Sequence, residues 1–323
     1  MSEIMLFLKS FLKKIIFLFS APRYVVPSQT LNQLGLQNFR IFIKTHRYFS
    51  NDKNIKKTLS AYEKKIFEKL SNDGIAIINN FVAEEDLEEL NSEIKNLKAT
   101  GNLKREFGKE GGSVHWEHGN FPSNQEFPSV DNYFRKNPFL LKLVENYTHR
   151  KIISFPEVIY QKLMMPRGAK DEKDIQTILH ADRHYRAIKV FYAFSEHSSN
   201  NGAFWYSKKS HIMSGERLSF EKDYSCRESL KKNNKSHKID SNLLENGRNI
   251  IRPSLQDQFP PEQMCVPKNS LIIVDVCGFH KRGLMNESSE RETLRMIFHY
   301  IHAPFWIQRL FKFLKVLPAR FLN

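Results

Sequence analysis

Cysteine is scarce in this chain, with only Cys226, Cys265 and Cys277 spread through 323 residues. Three scattered thiols exclude a disulfide framework and a thiolate zinc site, and they suit a reducing compartment. Long apolar runs are lacking as well. No stretch of about 18 uninterrupted apolar residues occurs, which argues against a bilayer-spanning helix. Acidic residues are thin at the two ends: residues 1–70 hold 13 Lys/Arg against 4 Asp/Glu, and residues 301–323 hold 4 Lys/Arg and no acid. Of the net charge of +15, the ends therefore carry +13 and residues 71–300 only +2. A near-neutral centre lacks the basic stripe with interleaved aromatics that a nucleic-acid groove needs, so no nucleic-acid partner is expected. Any electrostatic partner meets the termini.

What the chain has in quantity is apolar bulk. Its 41% hydrophobic and 12% aromatic content, with 26 Phe, exceeds what a disordered chain carries. Its length admits one large core or two small ones. At the N-terminus, residues 1–20 set Lys9, Lys13 and Lys14 among Phe, Leu and Ile, and residues 305–317 repeat the design with Arg309, Lys312 and Lys315. Both segments read as basic amphipathic helices. Lysines inside the apolar run, Glu3 and the absence of a clean small-x-small site argue against a cleaved signal peptide. Two readings fit such ends: apolar faces buried in the headgroup region of an anionic membrane, or the same faces packed on the domain. The expectation is a cytoplasmic protein, with peripheral membrane association through both termini under the first of these readings.

Residues 21–60 are polar and basic and read as a loosely structured connection. A folded domain is expected over 61–303, between an N-terminal segment 1–60 and a C-terminal helix 304–323. The pattern predicts a helix over 60–70, a turn at Asn72-Asp73-Gly74, a strand over 75–78 and a helix that opens on Glu84-Glu85-Asp86. Residues 99–130, rich in Gly, Pro, Asn and Ser, read as loop. Short β runs follow at 151–153, 157–164, 188–194, 270–276 and 291–301, and residues 221–250 read as a mobile insertion. Helices first and short strands later imply an α+β protein built on an antiparallel barrel or sandwich.

Within those strands lies a set of metal-ligating residue types. In His180-Ala181-Asp182, residues i and i+2 of an extended segment point the same way, so an imidazole and a carboxylate converge. One hundred residues on, an apolar strand ends in Cys277-Gly278-Phe279-His280, and a second histidine there completes the set. Two histidines and a carboxylate on one face of an octahedron leave three positions open, as in non-haem Fe(II) oxygenases, whereas zinc prefers a closed tetrahedron. Arg291, eleven residues after His280, offers a planar fork for a distal carboxylate, and Arg295 shares its strand parity as the rival anchor. His184 has the parity of His180 and Asp182 and is a candidate to face substrate. The loop histidines of His115-Trp116-Glu117-His118 read as surface or pocket-lining, and Cys277 as a small buried residue.

Taken together, His180-Ala181-Asp182-Arg183-His184-Tyr185, Ser199-Asn200-Asn201-Gly202-Ala203 with Ser210-His211, and His280 with Gly283, Asn286, Ser288 and Arg291 resemble the phytanoyl-CoA dioxygenase family. The resemblance runs from about Leu70, where Asp73-Gly74-Ile75 resembles that family's opening strand, to about Tyr300. It implies a double-stranded β-helix of the jelly-roll or cupin-like type with flanking helices. It also implies Fe(II), 2-oxoglutarate and O2 as cofactor and cosubstrates, with His180, Asp182 and His280 on the metal and Arg291 on the 2-oxoglutarate carboxylate. Gln161 and Tyr192 fall where family members line the cosubstrate pocket. The implied activity is hydroxylation of an unactivated C–H bond in a small-molecule, lipid or lipid-linked saccharide substrate. Two departures bear on the pocket: Lys208-Lys209-Ser210-His211 replaces the family's Pro-Gly-Ser-His turn, and Arg282 stands where a small hydroxyl often follows the distal histidine. The alternative is a non-catalytic peripheral membrane protein that keeps the oxygenase fold as a scaffold.

Overall fold

The computed structural model of the protein describes residues 28–45, 59–100, 103–107, 113–122, 127–171, 175–233, 249–251 and 253–299. The expected amphipathic ends, 1–20 and 304–323, lie outside the described residues. No helix among the described residues is long and apolar enough to cross a membrane.

Two short helices, α1 (Gln29–Gln33) and α2 (Leu36–Thr45), come first. They correct the expectation of a loosely structured connection: Asn32, Gln37, Arg40 and Ile41 are buried, and Asn32 Nδ2 donates to Ser229 Oγ at 2.6 Å across the chain. The next helix, α3 (Ala61–Asp73), opens with a capping box. The Glu63 amide donates to Ser60 Oγ at 3.2 Å, and the Ser60 amide donates to Glu63 Oε2 at 2.7 Å, so two otherwise orphaned donors are satisfied. The helix ends on Gly74 at φ 81°, a left-handed cap that only glycine adopts without strain. A Cβ there would also lie 2.2 Å from the Tyr206 hydroxyl.

From this cap the chain enters β1 (Ile75–Asn79), then α4 (Leu87–Ala99), β2 (Lys104–Phe107), β3 (His115–Asn120), α5 (Pro138–Thr148) and β4 (Glu157–Met164). The expected loop at 99–130 thus contains two strands, whose polar side chains hid the alternation. β5 (His180–Ala181), β6 (Ile188–Ala193), β7 (Phe204–Tyr206), α6 (Gly215–Asn233), β8 (Asn249–Ile250), β9 (Glu262–Met264), β10 (Ser270–Asp275), β11 (His280–Arg282) and β12 (Glu290–Ile297) complete the chain. The helix α6 occupies the start of the expected insertion and buries Glu221, Tyr224, Ser225 and Ser229. Residues 234–248 lie outside the described residues. The expected strand at 151–153 reduces to a short contact in which the Ile153 amide donates to the His299 carbonyl at 3.0 Å.

All pairings are antiparallel. Seven strands form one sheet in the order β1-β10-β6-β12-β4-β3-β2, and five form a second in the order β8-β5-β11-β7-β9. Two facing antiparallel sheets with helices on the outside make the expected α+β double-stranded β-helix. Alternation along each strand sends side chains to opposite faces. Ile188, Val190 and Tyr192 of β6, Leu271 and Ile273 of β10, and Leu294 and Met296 of β12 pack outward against Leu90, Ile94, Leu140, Leu143 and Val144 of α4 and α5. The opposite parity points between the sheets, where Ala193, Ile272 and Val274 meet Tyr206 and Met264 of the smaller sheet. Asp275 ties the layers at the end of β10. Its carboxylate accepts from the Tyr147 hydroxyl at 2.8 Å and from the Ala187 and Cys277 amides at 3.1 and 2.9 Å.

Candidate metal centre

The smaller sheet places the two histidines side by side. His280 on β11 pairs in register with His180 on β5, and their ring centroids are 4.7 Å apart. Asp182 follows β5 directly, and its amide donates to the Val276 carbonyl at 3.0 Å, which fixes the backbone from which the carboxylate projects. His180 Nε2 lies 3.6 Å from Asp182 Oδ1, and His280 Nε2 lies 3.5 Å from Asp182 Oδ2. All three residues are buried, and one ligand atom from each lies within 4.8 Å of the others.

The remaining ring nitrogens decide how these groups are presented. Nδ1 of His180 donates to the Ile178 carbonyl at 2.6 Å, and Nδ1 of His280 donates to the Gly278 carbonyl at 2.9 Å. A proton held on Nδ1 leaves the Nε2 lone pair aimed at the common centre, the tautomer a metal ligand requires. Burial opposes ionisation of Asp182, but the Lys189 ammonium, then His280 and His180, outweigh it and hold the carboxyl well below its ordinary range. Lys189 Nζ sits 2.5 Å from Asp182 Oδ2. The carboxylate is thus in its ligating form. Two imidazoles and one carboxylate gathered on one side fit a divalent metal that keeps open positions.

These three residues border a cavity of about 200 Å³ between the sheets, lined also by Gln161, Lys189, Phe191, His197, Arg291, Thr293 and Arg295. Strand parity explains the lining, since Gln161 on β4 and Arg291, Thr293 and Arg295 on β12 all face inward. Arg291 Nη1 donates to the Gly202 carbonyl, and its buried Nε has no hydrogen-bond partner. Gly202 stands at φ 78°, and a Cβ there would lie 2.8 Å from Met285 Cγ, so the carbonyl beside Arg291 depends on glycine. Arg282 is held differently. Its Nη1 and Nη2 meet Asp171 Oδ2 and Oδ1 at 2.5 and 2.9 Å, a two-point fork already satisfied within the chain. Burial, then the Arg282 charge, lowers the Arg291 pKa to about 9. A buried guanidinium with an unused donor has the charge and the geometry to pair with a carboxylate.

Of the residues singled out from sequence, His180, Asp182, His280, Arg291, Gln161 and Arg295 come together at this cavity. Tyr192 and His184 do not border it. Tyr192 has the opposite parity on β6: it packs on Phe134 in the outer core, and its hydroxyl donates to Asn269 Oδ1 at 3.1 Å. His184 turns away after Asp182 and is fully buried against Tyr185, because two residues beyond so short a strand no longer keep its parity. Lys189, His197 and Thr293 went unnoticed in the sequence. His197 bonds Thr293 Oγ1 through Nε2 at 3.1 Å, and burial, then Arg291, keeps its pKa well below the ordinary imidazole value. Lys189 alone left a signal, as the one charge in the strand Ile188–Ala193. Trp116 and His118 reach the cavity from β3, in agreement with a pocket-lining role.

No family model and no curated protein matches the chain. Among solved structures, it resembles the epimerase SnoN in complex with Fe3+, alpha ketoglutarate and nogalamycin RO, at 12% identity and TM-score 0.48 over 75% of this chain and 84% of that one. It also resembles the non-heme alpha ketoglutarate dependent carbocyclase SnoK, at 13% identity and TM-score 0.47 over 78% and 92%. HygX from Streptomyces hygroscopicus, solved with nickel and 2-oxoglutarate bound, is similar at 12% identity and TM-score 0.44 over 75% and 87%.

Proposed function

We propose that the protein is an Fe(II)- and 2-oxoglutarate-dependent oxygenase. The observation that carries this reading is the convergence of His180, Asp182 and His280 beside a cavity whose wall presents Arg291 with an unused buried donor. In this reading His180 and His280 bind iron through Nε2 and Asp182 binds through its carboxylate. Bound iron, with 2-oxoglutarate and O2, supplies an oxidant strong enough to attack an unactivated C–H bond, with succinate and carbon dioxide as by-products. The chain's own part is placement. Arg291 grips the far carboxylate of 2-oxoglutarate, with Thr293 and Gln161 on the same wall. Lys189 keeps Asp182 ionised, and Phe191, Phe204 and Ile272 keep water from the reacting centre.

The reaction is hydroxylation of a small-molecule, lipid or lipid-linked saccharide substrate, with Arg295 at the cavity as a substrate contact. The basic amphipathic segments at both ends support a substrate at an anionic membrane surface. Anaerobic titration with Fe(II) and then 2-oxoglutarate tests the chemistry. A metal-to-ligand charge-transfer band is expected in the wild type, absent in Asp182→Ala and weakened in Arg291→Ala. A folded protein that gives no band contradicts the reading. Liposome sedimentation with residues 1–20 and 305–323 deleted tests the membrane role, which is wrong if binding is unchanged.

A further inference from the structure

Away from the cavity, α2, the end of α5 and the chain that follows Asp182 gather four cations. Arg40 on α2 is fully buried, with Nη1 donating to Gln37 Oε1 at 2.8 Å. Lys44, one turn on, places Nζ 4.5 Å from the centroid of the Tyr185 ring. At the end of α5, the Arg150 guanidinium lies 4.5 Å from the same centroid, and its Nη2 donates to the Lys44 carbonyl at 3.0 Å. Arg183 joins from the residue after Asp182, with Nη1 at 3.5 Å from the Asp182 carbonyl. His184, fully buried and edge-on to Tyr185, lies within electrostatic reach of all four.

Like charges brought together away from water oppose one another unless an anion offsets them. Lys44 shows the strain most directly. Its Nζ is buried without a hydrogen-bond partner, and burial, then Arg40, Arg150 and Arg183, holds its pKa well below the ordinary lysine value. Among the described residues, neither Lys44 nor Arg183 forms an ion pair with a carboxylate. An anion held between Lys44 and Arg183 would supply the missing partner. A carboxylate would bring one charge and two oxygens, whereas a phosphate group brings a charge of about −1.5 to −2 and three acceptor oxygens at neutral pH. Guanidinium forks and a lysine point charge are the groups that bind it.

We propose that Arg40, Lys44, Arg150 and Arg183 form a binding site for a phosphate group, separate from the cavity that holds Arg291. The ligand is either a soluble phosphorylated molecule or the headgroup of an anionic phospholipid. Its position gives it a second consequence, because Arg183 adjoins Asp182 in the chain and both their amides donate to the Val276 carbonyl, at 3.4 and 3.0 Å. Binding here therefore steadies the backbone that carries Asp182. The site does not depend on the oxygenase reading.

The test uses the full chain, with thermal unfolding and calorimetric titration against inorganic phosphate and pyrophosphate at constant ionic strength. The wild type is expected to bind and to unfold at a higher temperature with the anion present. Lys44→Met and Arg183→Gln are expected to lose at least tenfold in affinity. Lys44→Met should also unfold no earlier than the wild type without phosphate, because it removes a repulsive charge. Sedimentation with phosphatidylcholine vesicles, with and without phosphatidic acid, separates the two sources. Vesicle binding that requires phosphatidic acid and Lys44 assigns a lipid headgroup, and a phosphate response without it assigns a soluble ligand. The proposal is overturned if there is neither a phosphate response nor Lys44-dependent vesicle binding, or if the response survives unchanged in both variants.

Discussion

The two faces of the seven-stranded sheet are built from alternate residues of the same strands, and their chemistry is opposite. On β6, Ile188, Val190 and Tyr192 enter the helix-covered core, while Lys189 and Phe191 border the cavity. On β12, Leu294 and Met296 face the helices, while Arg291, Thr293 and Arg295 face the smaller sheet. One strand therefore serves two tasks at once. The outer face excludes water from a closely packed apolar layer and supplies stability. The inner face gathers ionisable groups at a cost, and that cost is supported by the layer behind it. Stability and metal chemistry should thus separate cleanly on mutation, by face.

The sharpest break comes from the inner face. Asp182→Ala is expected to abolish Fe(II) binding, read by the loss of the charge-transfer band, while the circular dichroism spectrum stays native. On the outer face, Leu143→Ala truncates a fully buried side chain in the core between the helices and the larger sheet and should cost about 2–5 kcal/mol in urea denaturation. The metal titration of that folded variant should match the wild type, and a lost band there would mean that the faces are coupled. Arg291→Ala removes a charge-assisted anchor and should weaken 2-oxoglutarate binding by about 1.5–3 kcal/mol, roughly tenfold to a hundredfold, with Fe(II) binding retained.

A pH titration of stability separates the buried histidines from the apolar layer. Burial depresses the pKa of His184, His197 and His211, so native imidazoles stay neutral at a pH where the unfolded chain takes up protons. Stability is then full above the unfolded value near 6.5 and declines as pH falls through it. Replacing His197 with Asn should flatten that decline by up to about 1.4 kcal/mol per pH unit, and an unchanged slope would show that His197 titrates alike in both states. The smallest effect belongs to the start of α5, where Asn137 Oδ1 accepts from the Leu140 amide at 3.1 Å. Asn137→Ala should cost about 1 kcal/mol and leave the metal site untouched.

Legibility in the sequence follows the same division. The long strands β4, β10 and β12 and the capped helix α3 announce themselves, because six to eight residues are enough to show an apolar run or an alternation and Gly74 marks a helix end. In the smaller sheet, β5 and β8 have two residues each and β7, β9 and β11 three, too few to display alternation. β2 and β3 were hidden for another reason: Lys104–Phe107 and His115–Asn120 are largely polar, and their apolar neighbours come from other strands.

By itself the sequence determined the α+β class, the basic ends, and the residues able to hold a metal and an anion, because those depend on residue type and local spacing. The tertiary structure alone decided which of them share a cavity. It brought Lys189 onto Asp182 and His197 beside Thr293, and it turned Tyr192 into the core and His184 into a cluster of cations. The physical reason is strand parity combined with the crossing of two sheets: a shift of one residue moves a side chain from one face to the other. Which groups then meet depends on segments far apart in the chain.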